Sequence, residues 1–263
     1  MFKHLDILDE KHVEIVATAI ADDRIGCVIE DIRSASDNDE SLYGECLARL
    51  IGPDGRIYAA SAFVPCLHVL REVSMLDRHM VKLVLDLLDA DPMSVLGCNL
   101  SADSIADAAV WNDILDQLHH RSHLAPRIVL EVTEAHGLNS LLFCVDKIAE
   151  ARSLGCLFAL DDFGAGFASP RLIQLIDFDI IKINQAFVCD IRPSFEERNS
   201  LQNIVGLASS FAPRIVVEGV ETVAQIEAAR AAGATHFQGN FFSDSVTRDV
   251  AKACKNFESF QHL

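Results

Sequence analysis

Two adjacent carboxylates, Asp161 and Asp162, close an apolar run and are followed by a glycine-punctuated loop in the stretch ALDDFGAGFAS. Neighbouring carboxylates repel, and unpaired charge at the mouth of a core is costly. Such a pair calls for a cation, a helix N-terminus or water. Taken alone, it fits a solvated strand end with Asx-turns better than a site. Other apolar runs, however, end in the same manner: Glu45 in YGECL, Asn99 in GCNLS, Glu131 in VLEVTE, Lys182 in IIKIN, Glu218 in VVEGVE and Gln238 in HFQGN. If those runs are parallel strands of a barrel, their ends share one rim, where such folds build sites. Acids, amides and a lysine converging there are strongly unfavourable without metal. An oxygen-rich set with no adjacent Cys/His cluster suits Mg²⁺ or Mn²⁺ rather than zinc.

The elements that must position these residues are legible as alternation. Short β-branched or apolar runs recur near 25–31, 42–50, 94–100, 127–133, 156–162, 178–184, 213–219 and 234–239, and read as strands. Between most of them lie amphipathic helical patterns: LHVLREVSMLDRHMVKLVLDLLDA, SIADAAVWNDILDQLHH, LLFCVDKIAEARSLG, SLQNIVGLASSFAP and ETVAQIEAARAAG. Strand alternating with helix implies parallel pairing. The segment 31–60 breaks the alternation with a polar stretch and a Gly-Pro-Asp-Gly turn, so the first two strands are expected to pair antiparallel. The expected fold is α/β, a modified TIM-type (β/α)8 barrel with an irregular first strand, in one domain over residues 1–263.

Half of the 263 residues are hydrophobic, enough for one large core, and the formal net charge is -17. That balance argues against the broad basic surface used on nucleic-acid polymers or anionic membranes. Two divalent ions would supply the positive charge that a phosphate ester needs and the acidic surface lacks. The eight cysteines show no CxxC pairing and most lie among apolar neighbours, as reduced thiols of a cytoplasmic protein do. No apolar segment at the N-terminus reads as a signal peptide or a membrane span. His119, His120 and His123 read as a solvated helix end rather than a metal site, and SDNDES as a soluble loop.

Taken in order, these residues resemble the EAL-domain family, bacterial phosphodiesterases that linearise the second messenger cyclic di-GMP. The resemblance runs from Tyr43 to Ser243. Glu45-Cys46-Leu47 stands where the family has Glu-Ala-Leu, with Arg49 following. NLS at 99–101, EVTE at 131–134, DDFGAGFAS at 161–169, IKIN at 181–184, VVEGVET at 216–222 and QGNFFS at 238–243 keep the family's order. The resemblance implies a two-metal hydrolysis giving linear 5'-pGpG. Glu45, Asn99, Glu131 and Asp161 would hold one Mg²⁺ or Mn²⁺, and Asp161, Asp162 and Glu218 the second. It places Glu45, Lys182, Glu218 and Gln238 in catalysis, and Arg49, Asn99 and Asp162 against substrate. It also gives Glu134 the role of stabilising the loop from Phe163 to Pro170, and implies a homodimer. Ca²⁺, larger and less polarising, is expected to bind without supporting turnover. Adjacent aspartates of a strand point to opposite faces, so Asp162 reaches an ion only where the chain leaves the strand, which Gly164 and Gly166 are expected to permit.

Departures from the family pattern bear on activity. Cys46 replaces alanine, Ala165 a threonine, and Asn184 an aspartate expected to lie near Lys182. Cys66-Leu67 replaces Ala-Glu, Asn240 a tyrosine and Ser245 a proline, all expected to touch guanine recognition. The rival to catalysis is therefore a receptor or protein-interaction module. A second rival, a Mg²⁺-dependent barrel acting on carbon acids, does not account for the ordered motifs.

Overall fold

The computed structural model describes residues 10–37, 40–133, 144–166, 173–193 and 198–242. The strands are β1 (Ile25–Ser34), β2 (Ser41–Ile51), β3 (Ile57–Ala59), β4 (Leu96–Leu100), β5 (Ile128–Thr133), β6 (Leu157–Phe163), β7 (Ile180–Ile183), β8 (Arg214–Val217) and β9 (His236–Phe237). All eight expected strands are present, and β3 is an addition that pairs with the far end of β2 across the Gly-Pro-Asp-Gly turn. The sheet runs β1-β9-β8-β7-β6-β5-β4-β2, and the β1–β2 pairing closes it into an eight-stranded TIM-type barrel. From β2 through β4 to β9 the neighbours are parallel, whereas β1 is antiparallel to both β2 and β9. The expected irregularity of the first strand is thus a full inversion of its direction.

The helices preceding the site are α1 (Glu10–Ala21), α2 (Val64–Leu70), α3 (Val73–Ala90), α4 (Ala102–Ala106) and α5 (Ala108–His120). Two patterns that read as single helices are each broken in two. Arg71 takes a left-handed φ of 57° and its N–H caps α2, so Leu67 and Val73 can both turn into the core from differently directed helices. Asp107 interrupts the second pattern by accepting hydrogen bonds from the N–H groups of Ala109 and Val110, the usual work of an N-cap. The later helices, Val145–Ser153, Ser200–Ala208 and Val223–Ala232, fall inside their expected patterns. Helix α1, which buries Val16 and Ala19, has no counterpart among the expected elements.

Most of the core lies between strands and helices. A smaller cluster, Ile32, Tyr43, Val129, Ala159, Ile180 and Val216, fills the barrel interior as an apolar plug. It fixes the floor on which the site stands.

Candidate metal and phosphate site

Side chains of a strand alternate, so the residue two positions along from each plug residue also points inward, one layer higher. From Tyr43, Val129, Ala159, Ile180 and Val216 that step lands on Glu45, Glu131, Asp161, Lys182 and Glu218. Asn99 and Gln238 complete the layer from β4 and just beyond β9. On β1 the direction is reversed, so the step from Ile32 runs backwards to Glu30, which is the register partner of Glu45. Glu30 is absent from the strand-end residues because β1, expected to pair antiparallel to β2, brings an interior position to the rim and not its last residue; following that inversion finds it.

At the centre lies the Lys182 ammonium. It is 2.9 Å from Glu45 Oε2, 2.8 Å from Glu131 Oε2, 2.9 Å from Asp161 Oδ1 and 3.1 Å from Glu218 Oε1. An ammonium has three protons, so four carboxylates cannot all be hydrogen-bonded at once. Glu131 Oε1 and Oε2, Asp161 Oδ1 and Gln238 Oε1 are buried without a well-formed hydrogen bond, although two of these oxygens are within ion-pair distance of Lys182. Glu45 is the best satisfied, accepting from Asn99 Nδ2 at 2.7 Å, Gln238 Nε2 at 2.7 Å and Lys182 Nζ at 2.9 Å.

The electrostatics follow. Burial pushes the Glu45 carboxyl up, but the Lys182 charge and the three donors outweigh it and hold the group below its ordinary value. Burial and the Glu45 charge push Glu131 up to about 8. Burial likewise raises Asp161, and raises Glu218 well above its usual range. Burial works against the Lys182 ammonium, yet Asp161, Glu131, Glu218 and Glu45 together keep it charged. One ammonium facing four carboxylates leaves three negative charges when all are ionised. Oxygen donors in that excess, several lacking a hydrogen bond, fit hard divalent cations. Among the described residues no group of three or more acidic, His or Cys side chains surrounds an ion-sized centre, because Lys182 stands where the oxygens converge.

Gly97 makes this crowding possible. A Cβ there would lie 2.1 Å from Glu131 Oε1 and 2.6 Å from Cε2 of Tyr43. Tyr43, which the motifs do not single out, has its ring beside Glu131; burial, and then that charge, raise the phenol well above its ordinary value.

Several expectations about placement need correction. Only Glu218 and Gln238 stand just past their strands; Glu45 is inside β2, which continues beyond the site to pair with β3. Asp162 is turned by a β-bulge inside β6, and not by leaving the strand through the glycines. Leu160 pairs with Ile181 and Phe163 with Ile183, so two residues of β6, Asp161 and Asp162, occupy the register position opposite the single Lys182, and Asp162 takes a left-handed φ of 58°. Aspartate tolerates that conformation better than most residues. Gly164 merely continues the turn, with φ 94° and a Cβ position 2.5 Å from Cε2 of Phe187. Asn184 does not serve Lys182. Its Nδ2 donates to Asp162 Oδ1 at 2.6 Å while its Oδ1 accepts from the Ala186 N–H at 2.9 Å, which fixes the amide's orientation. Asp162 is thereby held at the edge of the cluster, outside the group that contacts Lys182.

The Arg49 guanidinium donates to the carbonyls of Leu47 and Ala48, on the same inward face as Glu45 but apart from Lys182. Cys66 and Leu67 are buried in the core, on the side of α2 away from the cavity wall, so that departure does not reach the site. Asn240 donates to Glu221 Oε1 at 3.4 Å. His119 and His120 bond backbone carbonyls of their own helix, as a helix end does. Glu134, the loop beyond Gly166 and Ser245 lie outside the described residues. A cavity of about 360 Å³ reaches the cluster at Glu45, Asn99 and Asp161, and Val64, Val73 and Met80 line it further out.

The family model described as EAL domain matches residues 28–245. A cyclic di-GMP phosphodiesterase of Escherichia coli, PdeF, is 26% identical over 202 residues, which is 75% of this chain and 27% of that protein. An uncharacterised protein of Azorhizobium caulinodans is 30% identical over 160 residues, 59% of this chain and 21% of the relative. This chain therefore spans about a quarter of the length of these curated relatives. Among solved structures, the c-di-GMP complex of the phosphodiesterase PaMucR superposes with a TM-score of 0.72 at 21% identity, covering 88% of this chain and 95% of that one. The FimX EAL domain of Pseudomonas aeruginosa bound to c-di-GMP gives 0.75 at 20% identity, covering 88% and 94%. At such identities the structures speak for the fold.

Proposed function

Because the chain belongs to the EAL domain family, we propose that it hydrolyses cyclic di-GMP to linear 5'-pGpG with two Mg²⁺ or Mn²⁺ ions. The observation that carries this reading is the excess of buried carboxylate around Lys182, which a cavity reaches at Glu45, Asn99 and Asp161. Glu45, Asn99, Glu131 and Asp161 would hold one ion, and Asp161, Asp162 and Glu218 the other. Bound there, the ions lower the pKa of a water and offset charge on the scissile phosphate.

The chain's own groups do the rest. Gln238 and Asn99 fix the Glu45 carboxylate by direct hydrogen bonds. Lys182, kept charged by its neighbours, orients the attacking water and stabilises the negative charge that develops at phosphate. Arg49, on the same face, offers its fork of donors to a second phosphate oxygen. The apolar wall at Val64 and Val73 narrows the water-filled approach. The homodimer implied by the resemblance belongs to the same proposal and is checked by sedimentation.

A receptor is the second reading, and one observation favours it: Asp162 is engaged by Asn184 and lies apart from Lys182. Incubation of the purified chain with cyclic di-GMP and Mn²⁺, followed by chromatography, separates the two. Linear product supports hydrolysis; tight binding with the ligand recovered intact supports the receptor. Ca²⁺ in place of Mn²⁺ is expected to give binding without product.

A further inference from the structure

We propose that Cys27 and Cys46 form a peroxide-sensitive thiol pair whose closure to a disulfide displaces Glu45; its consequence for turnover rests on the hydrolase reading above. Glu45 points into the barrel, so Cys46 points outward, and Cys98, its register partner on β4, stands likewise next to Asn99. On β1, Cys27 pairs with Ala48, two residues along β2 from Cys46. Cys27 and Cys46 are therefore diagonal neighbours on one face, a relation within reach of long or polarisable side chains. The two thiols perturb one another, Cys27 lowered and Cys46 raised from the ordinary thiol value, which fits sulfurs that lie side by side.

Both thiols are buried, at 4% and 1% exposure, and a buried thiol is ordinarily inert packing. Access distinguishes this pair. Cys46 lines the cavity over the site, and the same cavity is bounded by the exposed Ser61 and Pro65, so a small neutral oxidant can enter from solvent.

Hydrogen peroxide supplies the oxidation. One sulfur attacks a peroxide oxygen, the O–O bond breaks, and the departing hydroxide takes up the thiol proton as water. The second sulfur attacks the resulting sulfenic acid, the S–O bond breaks, and a second water leaves with the remaining thiol proton as the S–S bond forms. Two electrons pass from the sulfurs to the peroxide oxygens.

Closure is mechanical as well as chemical. Diagonal neighbours sit roughly 7–8 Å apart, whereas a disulfide holds its Cα atoms at about 6 Å, so β1 and β2 must shear. The shear acts one residue from Glu45, whose oxygens are set by donors at 2.7–2.9 Å on three other strands' ends.

The test treats the reduced chain with hydrogen peroxide, alkylates it, and maps peptides without reduction. Mn²⁺ calorimetry, amide exchange of β2 and hydrolysis of cyclic di-GMP are measured alongside. The expected result is a Cys27–Cys46 peptide, faster exchange in β2, and Mn²⁺ affinity lower by about tenfold with a matching loss of turnover. Dithiothreitol restores all three. Cys27→Ser and Cys46→Ala keep the reduced activity and lose the response. Absence of that peptide overturns the proposal. So does the peptide with unchanged exchange and affinity, or a response that survives in both variants. A reduced chain that gives no product refutes the hydrolase reading, while peptide mapping and exchange still decide this one.

Discussion

The plug and the charged layer above it occupy the same barrel, on the same strands, two residues apart, yet they obey opposite rules. Ile180 and Lys182 are neighbours on β7 and both are excluded from water, at 0% and 1% exposure. Below, the barrel is closed by packing alone. Above, equal burial is given to groups that cost several kcal/mol each to desolvate unless paired. A chain shaped only for stability would repeat the plug upward. The contrast teaches that burial does not separate core from site here, whereas the imbalance of charge within the burial does.

The largest expected break is Lys182→Met. It leaves four carboxylates facing one another, so metal-free stability should fall by about 3–5 kcal/mol and turnover should vanish. Mn²⁺ should restore much of the stability in urea melts and none of the turnover. Equal stability of variant and parent without metal would refute the charge balance described for the layer.

Next comes the converse substitution in the plug. Ile180→Ala should cost about 2–5 kcal/mol while leaving turnover per folded molecule unchanged. Asp161→Ala, one layer higher, should abolish turnover with the fold retained. Parallel denaturant curves and initial rates make the comparison, and a plug variant that lost activity while folded would erase the distinction.

The pH dependence of the metal-free chain sharpens it further. Glu131, at an ordinary 4.5 when unfolded and about 8 when folded, binds a proton in the folded state across that interval. Its contribution is fully present below pH 4.5 and is lost as pH rises through 8, with a slope of about 1.4 kcal/mol per pH unit at most. Glu45, lowered on folding, acts in the opposite sense only on the acid side. Melting temperatures with chelator should therefore decline from pH 5 to 8, and Mn²⁺ should flatten the decline. A profile already flat in chelator would contradict the buried, raised carboxylate.

The smallest effect belongs to Asn184→Ala, at the edge of the layer. Losing one amide donor to Asp162 should cost about 1 kcal/mol and weaken Mn²⁺ binding, with little change at Lys182. An effect on the pH dependence of Lys182 with unaltered metal binding would restore the expectation that the structure displaced.

Much of this arrangement is written in the sequence, because strands and alternation are local properties. The eight apolar runs place the strands, and counting two residues from one inward side chain to the next places most of the layer. The illegible parts are non-local. The antiparallel direction of β1 is expected, but its register is not, and only the pairing of Glu30 with Glu45 brings Glu30 to the site. The turn at Asp162 arises from a bulge against β7 and not from the glycines that follow it. Asn184 finds Asp162 across that bulge, at a distance no spacing along the chain reveals. Arg71 divides a continuous helical pattern because two faces have to be buried in different directions.

Lys182 also changes what loading the site means. The chain carries a tethered cation of its own at the point where the carboxylate oxygens meet. Admitting divalent ions is then an exchange, not an addition: a leashed monovalent charge must yield the oxygens it holds and cannot diffuse away. On the proposed metal reading, selectivity would arise from that contest. A weakly charged ion such as Na⁺ gains too little from the same oxygens to displace a resident at effectively fixed local concentration, whereas a divalent ion gains enough. On the proposed two-ion reading, the site would work as an ion exchanger with its own counterion bound to the wall.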